Sequence, residues 1–299
     1  MTGSHKKSIV FIGASGFIGG ALYRSFKKNL SADFKITGTY CSSHTATDIE
    51  KLDIMQFSDL ERFLIKVKPD FIVLTAGNKD VRQCEEDFSR VYALNTRPVE
   101  SIITIITRHR LLTRVLYFST DYVFDGKKGY YSDCDIPNPT TNYGKTKYLS
   151  EQLLLSSGLD FKIIRTAAVM GRGGIFFNWI LDTIMSEKPV SMYENIFFSP
   201  TPLAFLTNIV ERIINSYDQI PQKILHVAGE KRMSRYHFAI LVKDSLKSDV
   251  TIRPEKNLDT SLLFQYDLSL VSSDIINKWR EKKFEDYLED EILNAPVCE

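Results

Sequence analysis

The feature that most restricts the fold is a glycine turn near the start, Gly13-Ala14-Ser15-Gly16-Phe17-Ile18-Gly19. It follows a β-branched and aromatic run over 8–12 and precedes a helical pattern over 20–28. In a GxxGxxG between strand and helix the first glycine permits a tight turn. The second lets the backbone approach a pyrophosphate, and the third lets the helix pack closely on the strand. Free N–H groups at the helix start then face the phosphates. On this reading Gly13, Ser15, Gly16, Phe17, Ile18 and Gly19 cradle a dinucleotide; a purely structural turn is the alternative. With Lys6-Lys7 ahead of it the stretch superficially resembles a secretion signal. Glycines at 13, 16, 19 and 20 interrupt the apolar run, which suits a strand–turn–helix better.

Strand-like and helix-like segments continue to alternate. Strands are expected at 34–40, 71–75, 114–119 and 161–165, and helices at 57–67, 85–95, 98–109 and 143–156. Pro98 falls in a tolerated first-turn position, and Gly158 reads as a C-cap. This succession predicts an α/β fold, a Rossmann-type doubly wound parallel sheet with helices on both faces. The second half is less regular. Helices are expected at 175–186 and 205–217, a strand at 224–228, a helix over 235–246 capped by Ser234, and one or two helices within 274–293. The expected division is a dinucleotide-binding domain over 1–170, with 196–230 returning to it. A smaller C-terminal substrate-binding lobe takes 171–195 and 231–299. A length of 299 residues suits that plan.

Composition narrows the partners. Hydrophobic residues are 43% and charged residues 25%, a globular balance. Lys+Arg 38 against Asp+Glu 37 leaves a formal charge of +1, which gives no bulk footprint for nucleic acid or an anionic membrane. No apolar run approaches the roughly 20 residues that span a bilayer. None of the four cysteines forms a CxxC, and no Cys/His cluster has zinc spacing. A cytoplasmic protein with no metal site is the simplest expectation.

The turn after the second strand discriminates between cofactors, because a carboxylate there binds the ribose 2′-hydroxyl of NAD. Thr39-Tyr40-Cys41-Ser42-Ser43-His44 has none, and Asp33 precedes the strand. Ser42 and Ser43, with His44, are possible donors to a 2′-phosphate. That favours NADP(H), with NAD(H) or an ordinary polar loop as alternatives.

Tyr143-Gly144-Lys145-Thr146-Lys147 contains YxxxK. Residues i and i+4 share a helix face, whereas Lys145 points elsewhere. A free phenol has a pKa of about 10, and a neighbouring ammonium favours its phenolate. Such a tyrosine can give a proton to a carbonyl oxygen as hydride reaches the carbon. A solvated helix face is the alternative. Upstream, Leu116-Tyr117-Phe118-Ser119-Thr120-Asp121-Tyr122-Val123-Phe124-Asp125-Gly126 ends a strand in two hydroxyls, at the sheet edge where ligands bind. Thr120 is placed to hydrogen-bond a substrate carbonyl; Ser119 is equally a packing or capping hydroxyl.

With GASGFIGG, STDYVFDG and NYGKTKYLSE in this order, the sequence resembles the extended short-chain dehydrogenases/reductases. Within them it is most similar to the dTDP-4-dehydrorhamnose reductases and their sugar-nucleotide relatives. The resemblance covers nearly the whole chain and implies a catalytic triad of Thr120, Tyr143 and Lys147, with Lys147 also on the nicotinamide ribose. It implies adenine-side contacts at Asp53 and Ile54, cofactor contacts at Ala76, Gly77 and Asn78, and a supporting asparagine at Asn95. It implies substrate contacts at Thr120, Asp121, Val123, Phe124 and Tyr143, and a homodimer. Phe198-Ser199-Pro200-Thr201 matches the family's Pro-Thr segment. Tyr122 stands where the related dehydratases carry a glutamate base, which favours a plain reductase on a nucleotide-linked 4-keto-6-deoxysugar. Stretches 186–192 and after 247 match poorly, and they should shape the sugar pocket. An epimerase on another sugar nucleotide is an alternative. The chain also resembles the regulatory subunit of methionine adenosyltransferase, a reductase-like protein that binds NADP and a partner enzyme.

Other candidates have two readings each. Thr166 ends a strand and borders the nicotinamide by its backbone. Arg172, among Gly171, Gly173 and Gly174, is a substrate-diphosphate contact or a surface arginine. Asn178 and Trp179 touch sugar or base, or Trp179 is core. His226 reads as packed in an apolar strand. Asp80, Glu85, Glu86 and Asp87 read as a solvated helix start, and Ile196-Phe197-Phe198 as core or interface.

Overall fold

The computed structural model describes residues 6–42, 48–258 and 265–293. Along the first part run β1 (Lys7–Ile12), α1 (Phe17–Asn29), β2 (Phe34–Tyr40), β3 (Ile49–Lys51), α2 (Phe57–Val67), β4 (Phe71–Leu74), α3 (Val81–Glu86), α4 (Phe88–Asn95), α5 (Arg97–His109), β5 (Arg114–Thr120), α6 (Asn142–Ser156) and β6 (Phe161–Thr166). There follow β7 (Val169–Met170), α7 (Ile175–Met185), β8 (Val190–Tyr193), β9 (Phe197–Phe198), β10 (Thr201–Pro202), α8 (Leu203–Asn215), β11 (Ile224–Val227), β12 (Met233–Ser234), α9 (Arg235–Ser245), β13 (Ile252–Glu255), α10 (Asp274–Lys278) and α11 (Phe284–Leu293). Seven strands form one sheet in the order β11-β6-β5-β4-β1-β2-β3. β1 pairs in parallel with both β2 and β4, β4 with β5, and β2 with β3. This is the expected doubly wound α/β sheet. Among the described residues no helix is long and apolar enough to cross a membrane.

The chain divides into two compact units. The first is Met1–Ser119, Thr141–Ile164 and Pro221–Ile224; the second is Thr120–Thr140, Arg165–Ile220 and Leu225–Glu299. The division differs from the expected one: 120–140, 165–170 and most of 196–230 group with the second unit.

In the first unit, alternate strand residues Val10, Ile12, Ile72, Leu74, Val115 and Tyr117 meet Leu60 and Leu64 of α2 and Ile102, Ile105 and Ile106 of α5. Period two in strands and three-to-four spacing in helices place them on one face each. Each such side chain contributes about 1.5–3 kcal/mol by leaving water. The helix expected over 85–95 is broken at Asp87. Its backbone is extended and its carboxylate accepts from Arg90 N at 3.0 Å, capping α4. Asp80 caps α3 in the same way, accepting from Gln83 N. β3 is an edge strand of three residues that the sequence pattern does not show.

The second unit has its own core. Phe177, Ile180, Leu181 and Ile184 of α7 pack with Phe238, Ala239 and Val242 of α9 and with Phe284, Leu288 and Ile292 of α11. Three two-stranded pairs, β7/β10, β9/β12 and β8/β13, complete it. Ser234 caps α9 as expected, accepting from His237 N at 3.1 Å. The second unit also holds a buried polar cluster. His226 is 0% exposed, with Nδ1 3.2 Å from the Tyr131 carbonyl and Nε2 3.4 Å from Arg165 Nη1. A carbonyl only accepts and a guanidinium only donates, so both contacts fit one neutral tautomer, protonated on Nδ1.

Burial first, then the charge of Arg165, holds His226 down at about 4. The unfolded chain therefore takes up a proton between about pH 6.5 and 4 that the folded chain refuses, and stability falls as pH falls through that window. From pH 7.5 to 5.0 this one group should remove about 2 kcal/mol. Urea titrations of wild type and His226→Gln at both pH values check it; an equal pH-dependent loss in the two proteins contradicts it.

Candidate active site

A pocket of about 280 Å³ opens in the first unit at the carboxyl ends of β1, β2 and β4. Gly13, Ser15, Gly16, Phe17, Ile18 and Gly19 form one wall, with Ser42, Ile54, Ala76 and Gly77 on the others. These sequence-predicted cofactor residues are thus brought together. Gly13 has φ +97°, a left-handed conformation in which a side chain is strained. A Cβ on Gly19 would collide with the Gly13 carbonyl and Thr75 Oγ1, so only glycine lets α1 begin there. Gly16 caps α1 without a side-chain acceptor, and the first helical N–H groups have no side-chain cap. Such an end suits an anion.

Several predicted contacts take other places. Asp53 does not line the pocket; its Oδ1 accepts from Met55 N at 2.9 Å and shapes the turn that presents Leu52 and Ile54. Asn78 is outside the lining as well, its Nδ2 donating to Gln83 Oε1 at 2.7 Å. Asn95 is a brace. Its Oδ1 accepts from Asn78 N at 2.7 Å, and its Nδ2 donates to Asn78 O at 3.0 Å and Thr146 Oγ1 at 3.3 Å. It ties the loop after β4 to α6. Ser43 and His44 lie outside the described residues. Sequence reasoning missed Ile12, Thr39, Tyr40, Cys41, Leu52 and Lys79 as lining residues, whereas Thr75 lines it with the expected strand-end turn. Their signal was position alone, at or just after strand ends.

Helix α6 carries the YxxxK pair. Thr141 caps it, accepting from Gly144 N at 3.1 Å, and the Glu85 carboxylate accepts from Asn142 N. Glu85 is therefore an anchor for α6, not merely part of a solvated helix start. Lys145 is exposed and Lys147 is 8% exposed, as their helix faces require. The Lys147 ammonium stands 4.2 Å from the Tyr117 ring centroid. Burial pulls its pKa down to about 7, against the opposing pull of Glu151 one turn on. Glu151 is fully buried and accepts the Ser119 hydroxyl at 2.5 Å. Ser119 is accordingly a packing hydroxyl.

In the second unit Thr120 ends β5. Its hydroxyl donates to Asp121 Oδ1 at 2.8 Å and accepts from Tyr122 N at 3.3 Å. Asp121 is 5% exposed, and burial raises it to about 7 despite its hydrogen bonds and the charge of Arg235. Val123 and Phe124 are corrections: both are 0% exposed, with Phe124 stacked on Tyr131 at 4.3 Å, so neither side chain faces a ligand. Thr166 is buried, its hydroxyl donating to Ala167 O. Arg172 Nη2 donates to the Ile292 carbonyl at 2.9 Å, which ties it to α11. Asn178 Oδ1 accepts from Gly173 N at 3.0 Å and closes the turn before α7. Trp179 corrects the core reading: it is 46% exposed, stacked on Phe176. Ile196 and Phe198 are core. Among the described residues no group of three His, Cys, Asp or Glu side chains is placed to hold a metal ion.

The sequence profile described as the RmlD substrate binding domain matches residues 7–262. The chain belongs to this family. It is 34% identical over 236 residues to the dTDP-4-dehydrorhamnose reductase of Aggregatibacter actinomycetemcomitans, which covers 76% of each chain. The crystal structure of a hypothetical dTDP-4-dehydrorhamnose reductase from Sulfolobus tokodaii has a TM-score of 0.80 at 29% identity, over 94% of this chain and 98% of that one. The dTDP-4-dehydrorhamnose reductase of Bacillus anthracis, solved in complex with NADP, has a TM-score of 0.83 at 20% identity, over 97% and 100%. The last comparison shows the fold alone.

Gly19→Ala should weaken NADPH binding by about tenfold or more, because the helix start must move to admit the methyl group. Fluorescence titration with NADPH checks it; an unchanged dissociation constant contradicts the role given to the close approach.

Proposed function

We propose that the protein is an NADPH-dependent reductase of the 4-keto group of a nucleotide-linked 6-deoxy-4-keto-hexose. The observation that carries this reading is the YxxxK helix, braced through Asn95 to the loop that lines a glycine-turn pocket. Family membership and the reductase relative at 34% identity support the substrate class. NADP(H) is favoured over NAD(H) by the absence of a carboxylate after β2, where Ser42 lines the pocket. The glycine-turn pocket fits a dinucleotide: backbone N–H groups at the start of α1 would hold its diphosphate, and Leu52 and Ile54 offer an apolar wall to the adenine. When bound, the cofactor supplies hydride.

The chain's residues then handle the proton and the oxygen. Tyr143 donates its phenolic proton to the C4 oxygen. Lys147, desolvated and held above Tyr117, supplies the positive charge that favours the phenolate and also binds the nicotinamide ribose. Thr120 polarises the carbonyl. Its hydroxyl is oriented by Asp121, and a protonated Asp121 donates to Thr120 in return, freeing the threonine hydrogen for the substrate. A cytoplasmic homodimer remains part of this proposal. The alternative of a regulatory subunit draws less support, since the relative that shows the family is a reductase.

Tyr143→Phe should lower kcat by about a hundredfold or more while NADPH binding persists. Stopped-flow NADPH oxidation with dTDP-4-keto-6-deoxy sugars checks it; full turnover in the variant contradicts the mechanism, and NADPH binding with no keto-sugar turnover in wild type supports the regulatory reading. Lys147 carries its proton below about pH 7 and loses it above, so kcat/KM should fall as pH rises through 7. A profile flat to pH 9 would show that the lysine charge is not required.

A further inference from the structure

The face that α6 turns inward is polar where a helix usually packs apolar side chains: Thr146, Lys147, Ser150 and Glu151 are all buried. The hydroxyls are satisfied locally. Thr146 Oγ1 donates to Tyr143 O at 2.9 Å, and Ser150 Oγ to Thr146 O at 3.0 Å. Lys147 and Glu151 are ions, and they stand one turn apart, at i and i+4, where side chains share a helix face. Both meet β5. The Lys147 ammonium lies 4.2 Å from the Tyr117 centroid, and Glu151 Oε1 accepts from Ser119 Oγ at 2.5 Å. Tyr117 and Ser119, two apart on the strand, project from the same side of it.

An O–H···O distance of 2.5 Å is that of a hydroxyl on a carboxylate anion. Glu151 is 0% exposed, so its charge is costly unless a cation completes it. The buried Lys147 ammonium has the mirror-image need. Other groups that meet α6 do not supply it. Tyr117 is held well above the usual phenol range by burial and stays neutral. On α3, burial pushes the Cys84 thiol up to about 11, and the Glu85 carboxylate accepts from Asn142 N at the start of α6. Asn95 of α4 and Thr96 before α5, which bond to α6, carry no charge. Tyr143, on α6 itself, carries the reactive proton. Glu151 is the charge that opposes the burial of Lys147.

We propose that Glu151 is a positioning residue of the reduction: its buried carboxylate is the fixed counter-ion that keeps Lys147 protonated at neutral pH. The inference rests on the reductase reading above. Ser119 clamps the carboxylate, so the anion stays in place through the reaction, and Lys147 keeps the charge that favours the Tyr143 phenolate. Glu151 acts through the lysine and not on the substrate.

The test is Glu151→Gln, which removes the charge and keeps an acceptor for Ser119. Lys147 is titrated by NMR of protein labelled at lysine Cε, its signal assigned by its loss in Lys147→Arg. The Lys147 midpoint should drop by about one pH unit in Glu151→Gln. The falling limb of kcat/KM should move down with it, so the variant loses about tenfold at pH 7.5 and recovers most of that at pH 5.5. A merely structural role would lower kcat/KM equally at every pH. Glu151→Asp, which keeps the charge, should return the midpoint toward the wild-type value. An unchanged Lys147 midpoint in Glu151→Gln overturns the inference, whether or not the protein turns over keto sugars. A midpoint that drops as expected in a protein that reduces no nucleotide-linked keto sugar supports the counter-ion and overturns the reductase reading. If Glu151→Gln does not fold, the wild type labelled at glutamate Cδ decides. Its Glu151 signal, assigned by its loss in Glu151→Asp, should move with the Lys147 midpoint, and a signal flat through that midpoint overturns the inference.

Discussion

The close approach of backbone to backbone at Gly19 is the constraint on which the first unit depends. Thr75 Oγ1 donates to Ile12 O at 3.1 Å and stands where a Gly19 side chain would be, against the Gly13 carbonyl. With no Cβ there, α1 starts directly over the strand ends and its first N–H groups are brought to the pocket. One missing methyl group thus sets the position of the helix, the shape of the turn and the anion-binding end together. The loop after β4 completes the wall, and Asn95 joins it to α6. Cofactor wall and YxxxK helix are therefore one braced object, not two neighbouring features.

Buried charge is the second theme. Lys147 is desolvated beside Tyr117, with Glu151 one turn away taking a hydrogen bond from Ser119. Asp121 is held up by burial. Groups in this condition gain most from a ligand that supplies the missing partner, because the low-dielectric surroundings make each new contact strong. A chain with a net charge of only +1 can hold small anions in this way without a basic surface.

The strands and helices of the first unit were legible because their periodicities are long and uninterrupted. The run over 34–40 alternates, and that over 57–67 repeats every three to four residues. What escaped was short or set by tertiary contact. β3 has three residues, and the β7/β10 and β9/β12 pairs have two residues per strand, below the length at which alternation carries information. Asp87 breaks a helix that the apolar pattern carries through, because a capping carboxylate outweighs the pattern locally. In the site, Tyr143, Lys147 and the glycines follow from spacing. The partner of Arg172 does not. Arg172 stood out for its glycine neighbours, but α11, over a hundred residues away, supplies its partner. Val123 and Phe124 follow Thr120 closely in the sequence, yet their apolar side chains turn into the core.

The central claim is that hydride passes from the nicotinamide to C4 of a nucleotide-linked keto sugar. Deuterium tracing tests it most directly. NADPH deuterated at C4, prepared as each of the two stereoisomers, is incubated with the protein and a dTDP-4-keto-6-deoxyhexose, and the sugar is read by mass spectrometry and proton NMR. The account predicts deuterium at sugar C4 from one stereoisomer and none from the other. Product without deuterium from either, or no product while NADPH stays bound and unoxidised, would contradict it.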